Sequence, residues 1–190
     1  FPPALNFFQT FNCISKIHAY SEDTARRIAE FSMLRSDKVV KVIQGDSRTI
    51  NLKKSLANTL IKNRLIDGII TSPPYVGQID YHEQHIYAYE LFDLSREDKL
   101  EIGPKVRGKS KQAQLEYIEG ISAVFKNAAD YLKPDAKVFV VANDRFKLYP
   151  EIAKRSGLKI IEEFHRAVTK RTEQGDDPYQ ETIFMMMRDL

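Results

Sequence analysis

Four consecutive residues, Ser72-Pro73-Pro74-Tyr75, bring together a hydroxyl, a rigid carbonyl and an aromatic ring. Each proline removes a backbone donor and fixes φ, and the residue before each is pushed toward an extended conformation. Ser72 can accept or donate a hydrogen bond. The Pro73 carbonyl is an acceptor in a stiff frame, and Tyr75 offers a flat face for stacking. Two acceptors and an aromatic lid suit a planar ring that carries an exocyclic amine. A turn that does no more than end a strand is the alternative.

Other residues near this corner carry chemistry with less specificity. Asp80 and Tyr81 lie where they can contact a bound base or simply start a helix. His82 and His85 stand at i and i+3, whereas a metalloprotease helix places its histidines at i and i+4; no metal site is expected. Lys105, Arg107, Lys109 and Lys111 form one basic cluster, and His165, Arg166, Lys170 and Arg171 a second. Both can meet phosphates or be solvated charge. Asn143-Asp144 ends an apolar run and can border a site or form a turn. Asp177-Pro178-Tyr179 lacks the second proline and reads as a turn.

Elements in the right order are needed to position these residues. Ser21, followed by acidic residues and an apolar stripe of Ala25, Ile28, Ala29, Phe31 and Leu34, predicts a helix over 21–34. Residues 38–46 read as a strand ending in Gly45-Asp46, and 51–63 as a second helix. Residues 66–71 read as a buried core strand that delivers the Pro-Pro corner. A helix is expected over 78–94, a mobile polar loop over 95–112 and a long helix from Gln112 to Leu132. Residues 136–144 form a nearly continuous apolar strand, 148–156 a short helix, and 157–168 with 180–190 a final antiparallel hairpin at one edge. Strands alternating with helices, with apolar runs buried on both faces, predict an α/β fold with a mainly parallel sheet. In such sheets ligands bind beyond the carboxyl ends of the strands, where Ser72 to Tyr75 would lie.

Composition agrees with a single soluble domain. The chain has 190 residues, 43% of them hydrophobic and 29% charged, and a net charge of +3. It contains no apolar run long enough to cross a membrane and no signal-peptide pattern at its start, so no membrane partner is expected. The single cysteine, Cys13, cannot form an internal disulfide, which fits a reducing compartment; a cytoplasmic location is expected. A small positive charge permits nucleic-acid binding through local patches without arguing for it.

With these residues in place, the chain resembles the DNA amino-methyltransferases, which carry a (Ser/Asp/Asn)-Pro-Pro-(Tyr/Phe) motif at the end of a strand. Ser72-Pro73-Pro74-Tyr75 matches it. Val39–Asp46 is similar to the strand and turn before the catalytic strand, residues 131–144 to the helix end and strand after it, and the terminal strand pair to that family's last hairpin. The run 71–85 is most similar to archaeal and bacterial site-specific modification methylases. The resemblance implies a Rossmann-like methyltransferase fold with an antiparallel C-terminal hairpin, and S-adenosylmethionine as cofactor. It implies cofactor contacts from Asp46, Ser47, Thr71 and Ser72, with Asp46 meeting the adenine. It implies direct methyl transfer to the exocyclic amine of a base flipped from double-stranded DNA, within a restriction–modification or similar system. A serine at the first motif position is more typical of cytosine-N4 than of adenine-N6 enzymes. Enzymes acting on protein glutamine or RNA usually have asparagine there. A non-catalytic nucleic-acid-binding subunit is the alternative from another class.

The family also requires a Gly-rich loop for the methionine part of the cofactor and an acidic residue for its ribose. The chain has eight glycines and no Gly-x-Gly pair. Its strands match about the last five of the family's seven, so residues 1–190 are expected to be the C-terminal portion of a catalytic domain. The first two strands would then come from a companion chain or an N-terminal segment that carries the Gly-rich loop.

Overall fold

A computed structural model describes residues 7–37, 40–57, 65–167 and 180–189. The chain divides into two units, residues 1–43 and 44–190.

In the first unit, helix α1 runs from Phe7–Leu34. It does not start at Ser21 as the sequence suggests. Ser21 Oγ donates to the Ile17 carbonyl at 2.8 Å and Thr24 Oγ1 to the Tyr20 carbonyl at 2.7 Å. Hydroxyls bonded back one turn sit inside a helix instead of capping it. The Arg27–Asp23 and Arg26–Glu30 pairs, at 2.6 and 2.7 Å, add support one turn apart. The strand expected over 38–46 is absent among the described residues 40–46. Val40 and Val42 are 83% and 89% exposed; β-branched residues favour a strand only where a neighbour gives them something to pack against.

The second unit holds a four-stranded mixed sheet in the order β1-β2-β4-β3. Its strands are β1 (Ile66–Thr71), β2 (Leu132–Ala142), β3 (Leu158–Ala167) and β4 (Gln180–Arg188). β1 and β2 run parallel, with Thr71 opposite Val140, and β4 pairs antiparallel with both β2 and β3. The expected α/β architecture and terminal hairpin are both present, with β3 outermost. Helices α2 (Leu52–Leu56), α5 (Lys111–Ala129) and α6 (Tyr149–Arg155) accompany the sheet. The helix expected over 78–94 is two short pieces, α3 (Tyr81–Gln84) and α4 (Ile86–Leu91), broken at His85.

The core lies between one sheet face and two helices. Val138, Val140, Ala142, Phe184 and Met186 alternate along β2 and β4 and are fully or nearly fully buried. They form one cluster with Tyr117, Ile118, Ile121 and Phe125 of α5 and Tyr149, Ile152 and Ala153 of α6. Tyr149 stacks on Phe184 with ring centroids 4.8 Å apart. α5 starts where Ser110 accepts from the Ala113 amide at 3.2 Å, a side-chain cap. β1 is not the doubly buried strand that its sequence suggests. It pairs only with β2 among the described residues, and Ile70 is 84% exposed.

Candidate active site

β1 carries the chain to the carboxyl edge of the sheet, where it leaves at Ser72. Ser72 is exposed, while Pro73, Pro74 and Tyr75 are half-buried. Side chains far away in sequence anchor the turn. The Tyr117 hydroxyl donates to the Pro74 carbonyl at 2.8 Å and lies 3.1 Å from the Tyr149 hydroxyl. Burial pushes the Tyr117 phenol up to about 12, so it stays protonated and donates throughout the neutral range. The Tyr75 hydroxyl donates to Glu181 Oε1 at 2.9 Å. Among the described residues neither the Ser72 hydroxyl nor the Pro73 carbonyl has a hydrogen-bond partner.

The segment 101–108, expected as part of a mobile loop, is instead stitched to this turn. The Gly77 amide donates to the Gly103 carbonyl at 2.9 Å, and the Lys105 amide to the Ile79 carbonyl at 3.2 Å. Asp80 Oδ1 accepts from the Val106 amide at 3.1 Å, and Glu101 Oε1 from the Tyr81 amide at 2.6 Å. Gly77 makes the closest approach. Its φ is +65°, and a Cβ there would lie 2.3 Å from the Gly108 carbonyl oxygen. Only glycine fits such a contact. Two of the expected DNA contacts, Asp80 and Tyr81, therefore take part in ordering the turn.

Across from the turn lies the corner at residues 44–50. Arg48 grips the Asp46 carboxylate with Nε at 2.9 and 3.1 Å and Nη2 at 2.8 Å, and the Arg48 amide adds a fourth bond at 3.0 Å. The Arg48 side-chain hydrogen bonds hold the Asp46 carboxyl below the usual carboxylate range, against a smaller opposing effect of burial. Asn127 of α5 braces this corner, its amide donating to the carbonyls of Ser47 at 3.1 Å and Ile50 at 3.0 Å.

A cavity of about 650 Å³ joins the two corners. Asp46, Ser47, Thr71, Ser72, Pro73 and Pro74 all line it, so the structure brings together the residues singled out for the cofactor and most of the motif. Its apolar floor is Ile121, Val124 and Phe125 of α5, and His82, Glu97 and Glu101 form a polar wall. The volume falls in the range of small-molecule pockets. An apolar floor suits a purine ring, and three carboxylates suit a cationic ligand. His82 Nδ1 is hydrogen-bonded to the Tyr89 hydroxyl. Among the described residues no cluster of histidine, cysteine and carboxylate side chains is arranged to hold a metal ion.

The basic residues divide. Lys105, Lys109 and Lys111 are exposed. Arg107 is paired with Glu116 at 2.7 Å, and Arg166 with Glu181. Lys170, Arg171 and the Asp177-Pro178-Tyr179 turn lie outside the described residues. Asp144 serves a turn: its carboxylate accepts from the amides of Leu148 at 2.6 Å and Tyr149 at 3.1 Å, which caps α6. Burial raises its carboxyl and those two amides partly offset the rise.

Sequence reasoning missed Tyr117, Arg48, Asn127, Glu101 and Glu181. A signal existed for Tyr117, whose hydroxyl on the apolar face of a helix needs a partner once buried. None existed for Glu181 or Asn127, whose roles depend on tertiary placement.

No family model matches the chain. It is 54% identical over 173 residues to the type II methyltransferase M.MjaII of Methanocaldococcus jannaschii, covering 88% of this chain and 33% of that protein. It is 31% identical over 128 residues to the type II methyltransferase M.BsoBI of Geobacillus stearothermophilus, covering 66% of this chain and 22% of that protein. The chain thus spans a third or less of the length of these relatives. Among solved structures it is similar to the M1.HpyAVI–SAM complex at 14% identity and a TM-score of 0.42, over 79% of this chain and 54% of that one.

Proposed function

We propose that this chain is the part of a DNA amino-methyltransferase that carries the catalytic turn, with cytosine N4 as the target ahead of adenine N6. The observation that carries the reading is the opening of the Ser72–Pro74 turn onto the same cavity as Asp46 and Ser47. The type II methyltransferases to which the chain is similar support it.

S-adenosylmethionine supplies an electrophilic methyl group when bound. The cavity fits its adenine and sulfonium ends, through the apolar floor and the carboxylates around it. The residues of the chain then have separate tasks. An exocyclic base nitrogen is a weak nucleophile because its lone pair is delocalised into the ring. The Ser72 hydroxyl and the Pro73 carbonyl accept its hydrogens and favour a pyramidal nitrogen. Tyr75 stacks on the extruded base and offsets part of the cost of flipping it. Positioning and electrostatics account for the rate, with no covalent intermediate on the protein. Lys105, Lys109 and Lys111 meet phosphates. Asp46 would hold the cofactor adenine by accepting from its amine, in competition with Arg48 for the same carboxylate.

The Gly-rich loop and ribose carboxylate come from a further segment or companion chain that pairs along β1, which has only β2 as a strand partner among the described residues. Sheet edges of this kind are normally covered. No helix of the described residues is long and apolar enough to cross a membrane, and the reading places the protein with its DNA in the cytoplasm.

The test is to express the full-length protein in a host that lacks the modification, digest the DNA to nucleosides and identify them by mass spectrometry. N4-methylcytosine is expected. N6-methyladenine alone would overturn the base assignment, and 5-methylcytosine alone the mechanism.

A further inference from the structure

We infer that Glu181 is a positioning residue of the base site: it fixes the plane of the Tyr75 ring through the phenol, and Arg166 serves to hold Glu181. The inference rests on the reading of Tyr75 as the stacking face for the target base.

Glu181 and Arg166 stand directly opposite each other in the β3–β4 ladder. The Glu181 side chain is 14% exposed and that of Arg166 is 62% exposed. The carboxylate divides its oxygens: Oε1 accepts from the Tyr75 hydroxyl at 2.9 Å, and Oε2 accepts from the Arg166 guanidinium. Two donors from different elements leave the carboxylate little rotational freedom. The Tyr75 side chain is then held at both ends. At its base, the preceding carbonyl is tied to Tyr117; at its tip, the hydroxyl is tied to Glu181.

This arrangement answers two physical problems. A stacking ring is most effective when its plane is set before the base arrives, because ordering it later costs binding energy. A carboxylate near a nucleic-acid site repels phosphates and is costly to bury alone, unless a cation pairs with it. Arg166 is that cation. Its place in a basic cluster made it a candidate phosphate contact, and its geometry makes it a brace.

The test uses the full-length protein with two readouts. The first is single-turnover methyl transfer to DNA, with cofactor affinity measured separately. E181A should slow transfer by about tenfold or more, the effect of a misplaced reactant, with cofactor affinity unchanged. E181Q keeps one oxygen to accept from the phenol but loses the acceptor for Arg166, so its rate should match that of R166A and exceed that of E181A. E181D keeps the charge but withdraws the acceptor by one methylene, so it should resemble E181A and replaces it if E181A fails to fold. In a Y75F background, E181A should add no further loss. R166A should slow transfer without changing the salt dependence of DNA binding. An additive loss in the double variant, or a salt slope lowered by about one in R166A, would overturn the inference.

The second readout is the ¹⁹F resonance of Tyr75 in protein labelled with 3-fluorotyrosine, identified by its disappearance in Y75F. It should move in E181A or E181D, and move less in E181Q, which keeps the acceptor for the phenol. This measurement needs no turnover. If the unmodified protein transfers no methyl group, the proposed function fails while the resonance still reports the contact. An unmoved resonance in E181A and E181D overturns the inference whatever the activity.

Discussion

The Tyr117 hydroxyl donates to the Pro74 carbonyl at 2.8 Å, so the second carbonyl of the Pro-Pro pair is fastened to the core, while the Pro73 carbonyl has no hydrogen-bond partner among the described residues. The two carbonyls thus differ: one anchors the turn, and the other remains available as an acceptor.

Replacing Tyr117 with phenylalanine should expose this difference. It leaves the Pro74 carbonyl and the Tyr149 hydroxyl short of a partner, at a cost of about 1–3 kcal/mol for a buried unsatisfied group. The denaturation midpoint should fall accordingly, and methyl transfer should slow. An unchanged midpoint would mean that the hydroxyl carries no load.

Ser72→Ala removes an acceptor on an exposed turn without touching the core. Turnover should fall by about 10²-fold or more, on the scale of losing one preorganised polar contact to a transition state, while the thermal midpoint stays put. Tyr75→Ala should weaken binding of DNA with an extruded base by about 1–3 kcal/mol. Near-normal transfer in both variants would place the pocket elsewhere.

Asp46 and Arg48 give opposite expectations. Asp46→Ala should weaken cofactor binding measured by calorimetry, because the acceptor for the adenine amine is lost. Arg48→Ala should not weaken it, because it removes a competitor for the same oxygens. The pair also predicts a pH dependence. The folded-state Asp46 carboxyl lies below its ordinary value of 3.8, so its contribution to stability is fully present above that value and disappears as pH falls through the lowered one. The difference in denaturation midpoint between the native protein and Asp46→Asn should therefore shrink only below about pH 4.

On the proposed reading the described chain by itself should bind S-adenosylmethionine poorly, because the cavity would supply only the adenine and methyl ends of the site and the sequence has no Gly-x-Gly pair. Titration of the isolated chain, and then of the full-length protein, measures the difference. Micromolar binding by the isolated chain would show that the cavity is already sufficient.

Charge removal at Lys105, Lys109 and Lys111 should weaken DNA binding for every sequence alike, and each change should lower the salt slope by about one. Arg107, paired with Glu116, should contribute less than any of the three lysines. A salt slope that stays constant through the lysine series would remove this segment from the interface.

What could be read in the sequence was what depends on near neighbours. The β2 and β4 apolar runs, the apolar face of α5 and the hairpin follow from periodicity, and the corner at 72–75 from two prolines after a β-branched run. The failures share a cause. Residues 40–46 have strand composition without a strand, because a strand exists only by pairing. The segment 78–94 has helical spacing but breaks at His85, while the flanking turn is pulled toward Gly103 and Val106 by bonds no local pattern shows. Ser21 is a cap residue by type, but its hydroxyl is bonded one turn back, inside the helix. Within the site, the motif and Asp46 were legible as residue types. Their braces were not, since Tyr117, Asn127 and Glu181 act across 43, 80 and 106 positions of chain.

Those long spans bear on how the protein is made. During synthesis the Pro-Pro corner emerges before both of its braces, and it is fastened only when α5 brings Tyr117 to it and β4 brings Glu181. Closing such loops costs entropy before any contact repays it, and pairings distant in sequence form slowly. A nascent chain halted before residue 181 would carry the whole motif and still leave the Tyr75 ring unsupported. The motif is thus made as a flexible segment and becomes a rigid corner only when distant parts of the chain reach it.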